Sequence, residues 1–292
     1  MIKKAGILLI LSTAILMASV SFFFLASIPR SHIKKLKTSY LRKTYKNKSV
    51  SYQLATKKPH DWKVLRNISE PAYQAILVSE DWDFYHHPGY DLSQIKEAVN
   101  ESILKRKRLR GASTITQQVV KNLYFNNERS YTRKIKEFFF SMYLDHTLTK
   151  KKILEIYLNI IEYGEGLYGI KGAAAYYFSK STADLTAREG AFLAMLLPSP
   201  KKHAQSYNKK RLTPFATRIV KSVLGKMYRA KYLNQYQLEV ALSSRFSWEE
   251  PYYSGATPSA PSRPKSRVRG PKKESSGKQS AVHIYKSDIS RQ

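Results

Sequence analysis

The sequence predicts a mainly α-helical protein, a single helical domain carried behind one N-terminal membrane-spanning helix. Three observations lead there. Helix punctuation recurs from about Asp61 to Leu242 while period-2 alternation is scarce, residues Ala5 to Ile28 hold no charged side chain, and 292 residues with 42% hydrophobic content suffice for one substantial core.

The span comes first, within residues 1–28. AGILLILSTAILMASVSFFFLASI is long enough to cross a hydrocarbon core of ~30 Å at ~1.5 Å per residue. A cleaved signal peptide ending near FLAS is the alternative, but the apolar run exceeds the ~7 to 15 residues of a signal h-region. Lys3 and Lys4 before the span place the body outside the cytoplasm. Arg30, Lys34, Lys35 and Lys37 behind it point the other way under the positive-inside rule, so charge alone leaves the topology open.

Residues 29–60 read as a basic juxtamembrane linker, in which each cation near anionic lipid gains roughly 1 kcal/mol. The whole chain has a formal charge of +30, from 51 Lys and Arg against 21 Asp and Glu. Such an excess asks for a polyanion: nucleic acid, anionic headgroups or a phosphate-bearing substrate. The anchor favours the last two over nucleic acid. Cysteine is absent, which excludes disulfides, thiolate nucleophiles and zinc–thiolate sites.

The domain proper is expected over 61–245. Ser69-Glu70-Pro71 resembles an N-cap, an early acid and a first-turn proline, starting a helix toward Glu80. Further helices are expected at Leu92–Leu104, Ser113–Leu123, Thr132–Asp145, Lys150–Ile160, Gly169–Tyr177, Ala187–Met195 and Thr213–Tyr228. Residues 246–292 are rich in Pro, Ser, Gly and cations and cannot bury enough apolar surface to offset ordering, so a disordered tail is expected.

Chemistry concentrates in a few stretches. Glu80 to His87 (EDWDFYHH) sets three carboxylates, three aromatics and two histidines at a helix C-terminus, where the macrodipole disfavours negative charge. A bland reading packs Phe84 and Tyr85 at a core edge with the acids in solvent. The adjacent pair His86-His87 is a poor metal site, because neighbouring residues on a helix do not face one another. In RGASTITQQVVKN, Ser113, Thr114, Thr116, Gln117, Gln118, Lys121 and Asn122 offer hydrogen-bonding groups. With Ser113 as cap, Thr114, Gln118 and Lys121 share a face that could cradle sugar hydroxyls and a phosphate. Arg133, Lys134, Lys136 and Glu137 precede an aromatic run; their spacing fits a surface salt bridge or a diphosphate site equally well. Glycines 164, 166, 169 and 172 suggest a tight turn followed by close packing, and EGAFLAMLLPSP a buried helix stopped by Pro198.

Together, in this order, these stretches resemble the family 51 peptidoglycan glycosyltransferases over roughly Leu65 to Tyr228. The resemblance rests on EDxxFxxHxG at Glu80–Gly89, GxSTITQQxxKN at Gly111–Asn122 and RKxxE at Arg133–Glu137. The lack of a KTG, which a penicillin-binding transpeptidase domain would carry, makes the monofunctional biosynthetic type the nearer likeness. The resemblance implies a lysozyme-like helical fold on the outer, periplasmic side of a bacterial cytoplasmic membrane, N-terminus in. It implies that Glu80 is the catalytic base, supported by Asp81, Phe84 and His87. Ser113, Thr114, Gln118, Lys121 and Asn122 would bind substrate, and Glu137 would be a second catalytic glutamate beside Arg133 and Lys134. It allows Mg²⁺ or Mn²⁺ near Glu137 and calls for no organic cofactor. Ala112 departs from the family's usual second glycine, and Pro88 from a more usual polar residue.

The implied reaction is inverting transfer of a growing glycan from polyprenyl diphosphate to the 4-hydroxyl of lipid II. A carboxylate must take the hydroxyl proton, and cations must neutralise the leaving diphosphate. Expected partners are lipid II, the glycan strand, membrane lipids touching Phe138–Tyr143, and proteins of wall synthesis or division. Two other readings stand beside this one. A lysozyme-like hydrolase would use Glu80 as acid but has no use for the cation cluster. A tethered wall-binding protein would leave the Glu80 cluster unexplained.

Overall fold

The computed structural model describes residues 2–46, 49–94, 96, 100, 113–125 and 130–249, without the side chains of 2–10, 20, 46 and 49. Of the disordered tail expected over 246–292, residues 250 on lie outside the described residues, as do Gly111, Ala112 and most of the helix expected over Leu92–Leu104. The first residues of that tail depart from the expectation, Phe246 being buried and stacked on Phe178 and Trp248.

Helix α1 (Ile2–Ala26) runs unbroken for 25 residues. Among the described residues no helix is long and apolar enough to cross a membrane; for α1 that statement reaches side chains only from Leu11 onward. Leu11, Ile15, Leu16, Met17, Phe22 and Phe23 are exposed, whereas Phe24 is buried and stacks on Phe139 with centroids 5.8 Å apart.

Residues 29–60, read from sequence as a linker, carry a helix and a hairpin. Helix α2 (Arg30–Lys35) buries Ile33, and Leu36 follows it into the core. Strands β1 (Tyr40–Lys46) and β2 (Ser49–Ala55) pair antiparallel, Tyr40 opposite Ala55 and Lys46 opposite Ser49. The apolar face is Leu41, Val50, Tyr52 and Leu54, interleaved with cations and polar residues. Tyr52 donates to the Ile160 carbonyl at 2.6 Å, which ties the hairpin to the domain.

The domain then adds α3 (Glu70–Glu80), α4 (Ile115–Tyr124), α5 (Tyr131–Thr147), α6 (Lys150–Ile160), a short hairpin β3 (Glu162–Gly164) and β4 (Leu167–Tyr168), and α7 (Ile170–Phe178). Helices α8 (Ala187–Leu196), α9 (Pro200–His203), α10 (Gln205–Asn208), α11 (Pro214–Arg229) and α12 (Gln235–Ser243) complete it. The protein is mainly helical, and α6 has the bounds the sequence predicts. Helix α12 was not anticipated, although Asn234 and Gln237 form a reciprocal capping box at its start.

Helix α8 is buried from Arg188 to Leu196, and its entry is fixed by a capping box between Thr186 and Glu189. Helix α3 lies directly against it. A Cβ on Gly190 would sit 2.5 Å from the Ala72 Cα, so only glycine allows these two backbones to approach this closely. Val220, Val223, Leu224 and Met227 of α11 are buried in the same core, with α11 packed on both α3 and α8. Helices α4, α5 and α6 form a second packed group, α4 lying against the other two. The C-terminal end of α3 therefore emerges held from behind by α8 and α11.

Candidate active site

The acids that crowd the end of α3 go three ways. Glu80 is half-buried and accepts a hydrogen bond from Gln118 Nε2 at 2.9 Å. Asp81 turns fully inward, where Oδ2 accepts from the Ile115 amide at 2.8 Å and Oδ1 lies 2.8 Å from His87 Nε2. Asp83 points out to solvent and pairs with exposed His86 at 2.7 Å. The crowding thus combines one carboxylate held against α4, one brace and one surface group.

The brace is placed for a physical reason. Ile115 opens α4, so Asp81 satisfies an amide that has no partner within the helix and sits at the positive end of its dipole. Gly89, at φ 82°, lets the chain turn where a Cβ would strike the Ser141 carbonyl at 2.6 Å. Phe84 is fully buried under the Lys150 ammonium, 4.8 Å from its ring centre. Lys150 also donates to the His87 carbonyl and to Asp145, each at 2.6 Å.

Helix α4 begins one residue later than the sequence reading placed it. The cap is Thr114, whose hydroxyl accepts from the Gln117 amide while Gln117 returns a bond to the Thr114 amide. Thr114 also donates to the Gly89 carbonyl at 2.8 Å and is buried, so it buttresses the site instead of lining it. Asn122 donates to the Gln118 carbonyl at 2.8 Å and so braces α4. Ser113 accepts from Lys134, and Gln118 is engaged at both ends of its amide, by Glu80 and by Tyr157. Lys121 is half-buried and, among the described residues, makes no ion pair or hydrogen bond.

Glu137, buried on α5, lies 3.0 Å from Lys134 Nζ and 2.8 Å from Arg133. The Arg133 contact is ionic without hydrogen-bond alignment, which leaves Glu137 Oε1 and Arg133 Nε with no hydrogen-bond partner among the described residues. Lys134 also donates to Ser113 Oγ at 2.9 Å, linking this ion cluster to the start of α4. A hard divalent ion wants several oxygen ligands. One carboxylate between two cations does not fit it, and no group of three or more His, Cys, Asp or Glu is arranged for a metal among the described residues.

Burial raises the Glu80 carboxyl above the ordinary glutamate range; the Gln118 hydrogen bond and the neighbouring Tyr157 hydroxyl oppose the rise, Asp81 adds to it, and Lys226 opposes it. Tyr157 is a contributor that the sequence reading missed. Its fully buried hydroxyl donates to Gln118 Oε1 at 3.2 Å, a contact from α6 that no local pattern announces.

A half-buried carboxylate with raised proton affinity, braced on a helical core, is suited to acid–base chemistry. Comparison with known proteins gives the family. The Transglycosylase family matches residues 47–228, and the chain belongs to it. A protein of Acinetobacter baumannii called biosynthetic peptidoglycan transglycosylase is 38% identical over 165 residues, 56% of this chain and 73% of that one. One of the same name from Paraburkholderia xenovorans is 37% identical over 190 residues, 63% of this chain and 77% of that one. Among solved structures, penicillin-binding protein 1A of Haemophilus influenzae is 26% identical and covers 45% of this chain and 16% of its own; at a TM-score of 0.30 that likeness carries no weight.

Proposed function

We propose that this chain polymerises lipid II into glycan strands, with Glu80 as general base. The observation that carries the reading is the Glu80 environment: a carboxylate made more basic by burial, oriented by Gln118, beside a helix whose Lys121 has no partner among the described residues. Glu80 takes the proton of the acceptor 4-hydroxyl as that oxygen attacks the anomeric carbon of the donor. The C–O bond to the diphosphate breaks, the diphosphate leaves with the bonding pair, and one displacement inverts the anomeric centre. Family membership and the names of the two relatives support the substrate class.

Of Lys121, Arg133 and Lys134, Lys121 is the one without a partner among the described residues and so meets the diphosphate, since Arg133 and Lys134 already face Glu137. A charge-assisted contact is worth about 1.5–3 kcal/mol, so Lys121→Ala is expected to raise the donor KM about ten- to a hundredfold. Unchanged KM and kcat would place the diphosphate elsewhere. Arg133 and Lys134 then serve to hold Glu137 and, through Ser113, the mouth of α4.

The membrane placement belongs to the same proposal. The 25-residue continuity of α1 gives it about 37 Å of length at ~1.5 Å per residue, and the charge-free run Ala5–Ile28 suits a lipid core. The lysozyme-like domain then stands on the outer face, the aromatic residues Phe138–Tyr143 being next to the end of α1 through the Phe24–Phe139 stack.

The test is incubation of the full-length protein in detergent with labelled lipid II, with and without Mg²⁺, followed by separation of products by length. A ladder of glycan is expected. Shortening of added glycan without synthesis would instead favour a hydrolase, for which a raised carboxyl pKa would also be apt.

A further inference from the structure

Gln118 is symmetric in shape but not in chemistry: one end of its amide donates and the other accepts. In the site its Nε2 faces the Glu80 carboxylate at 2.9 Å, and its Oε1 receives the Tyr157 hydroxyl at 3.2 Å. The ionised Glu80 carboxylate, which only accepts, selects this amide orientation, and the Tyr157 phenol, donating to Oε1, matches it and holds that oxygen away from Glu80.

We propose that Tyr157 is a positioning residue for the base: by fixing the Gln118 amide it keeps a donor on Glu80 and holds the carboxylate in one orientation in the groove. This rests on the polymerase reading of Glu80. Tyr157 is fully buried on α6, so it acts through Gln118 and not on substrate. The role is specific to its hydroxyl link. Tyr163, on β3, is equally buried and faces Glu80 as well, yet its hydroxyl has no hydrogen-bond partner among the described residues.

The other charged or titratable groups around Glu80 are few among the described residues. Asp81 adjoins it, Lys226 approaches from α11, and Lys121 lies one turn beyond Gln118 on α4. From α8, Glu189 turns to Lys180 and Arg188 to Glu249. With the Tyr157 hydroxyl removed, the Gln118 amide is free to present its oxygen to Glu80, which suits only the protonated acid. The base then ionises at higher pH.

The experiment is the pH dependence of lipid II polymerisation by the full chain, for wild type, Tyr157→Phe, Tyr163→Phe, Gln118→Met and the Tyr157→Phe/Gln118→Met double variant. Tyr157→Phe is expected to lose about tenfold on the acid limb, in line with one hydrogen bond near a charge. It should converge on wild type at high pH with KM unchanged. Gln118→Met should move the acid limb the same way, and the double variant should move it no further than Gln118→Met alone. Tyr163→Phe should leave the limb in place. A uniform loss at every pH in Tyr157→Phe, an equal shift in Tyr163→Phe, or additive shifts in the double variant would overturn the positioning role. If Tyr157→Phe does not fold, the limb of Gln118→Met decides: unmoved, it overturns the role. A wild type that makes no polymer would overturn the polymerase reading and this role together, whereas a working wild type with superimposable profiles would overturn this role alone.

Discussion

Glu80→Gln is expected to lower polymerisation by about 10²- to 10⁴-fold, the usual contribution of a positioned general base, while lipid II still binds. Gln keeps the size of the side chain and can still bond to Gln118, so what disappears is the capacity to accept a proton. The same substitution carries a second, opposite expectation. A carboxyl whose folded-state pKa lies above its unfolded value binds its proton more tightly when folded. Stability is therefore whole below the ordinary value of 4.5 and declines as pH rises through the raised one. The glutamine variant escapes that decline, so it should melt above wild type at neutral pH and converge with it toward pH 4. An inactive variant with no gain in melting temperature would mean that Glu80 is less desolvated than its surroundings imply.

The largest stability effect is expected at Gly190. Its missing Cβ is the space into which the α3 backbone fits, with Ala72 Cα at 2.5 Å and Ala72 O at 2.6 Å from where that carbon would stand. Both atoms are main chain and cannot rotate aside. Gly190→Ala is therefore expected to destabilise by about 3 kcal/mol, at the upper end for overpacking, and to displace α3 with Glu80 at its end. Gly225 supplies the contrast. It lies within α11 with nothing inside 4 Å of its added carbon, so Gly225→Ala should stabilise by about 0.5–1 kcal/mol through helix propensity. Chemical denaturation of both variants measures the pair, and a tolerant Gly190→Ala would show that α3 and α8 can separate without loss.

How far the sequence reaches is best seen residue by residue. Helix α6 was legible because Thr149 caps it and its apolar residues repeat at helical spacing. The start of α4 was placed one residue early, although Thr114 with Gln117 three residues on fits the capping-box pattern and Ser113 with Thr116 does not. The first hairpin was hidden because cations and hydroxyl residues alternate with its few apolar anchors, a pattern that reads as a basic linker until Tyr52 is seen bonded to Ile160. Glu80 stood out by its neighbours in sequence. Tyr157 did not, because its partner Gln118 is 39 positions away and only folding brings α6 against α4. The roles of Thr114 and Asn122 were likewise invisible: both residue types suit sugar binding, and only the fold shows their groups engaged with the Gly89 and Gln118 carbonyls.

The most direct measurement counts the polyprenyl diphosphate released from lipid II against the glycosidic linkages formed, for wild type and Glu80→Gln together. Transfer with Glu80 as base predicts one diphosphate per new linkage in wild type and neither product in the variant. Diphosphate release without linkage, or a variant that still forms linkages at the wild-type rate, would contradict it.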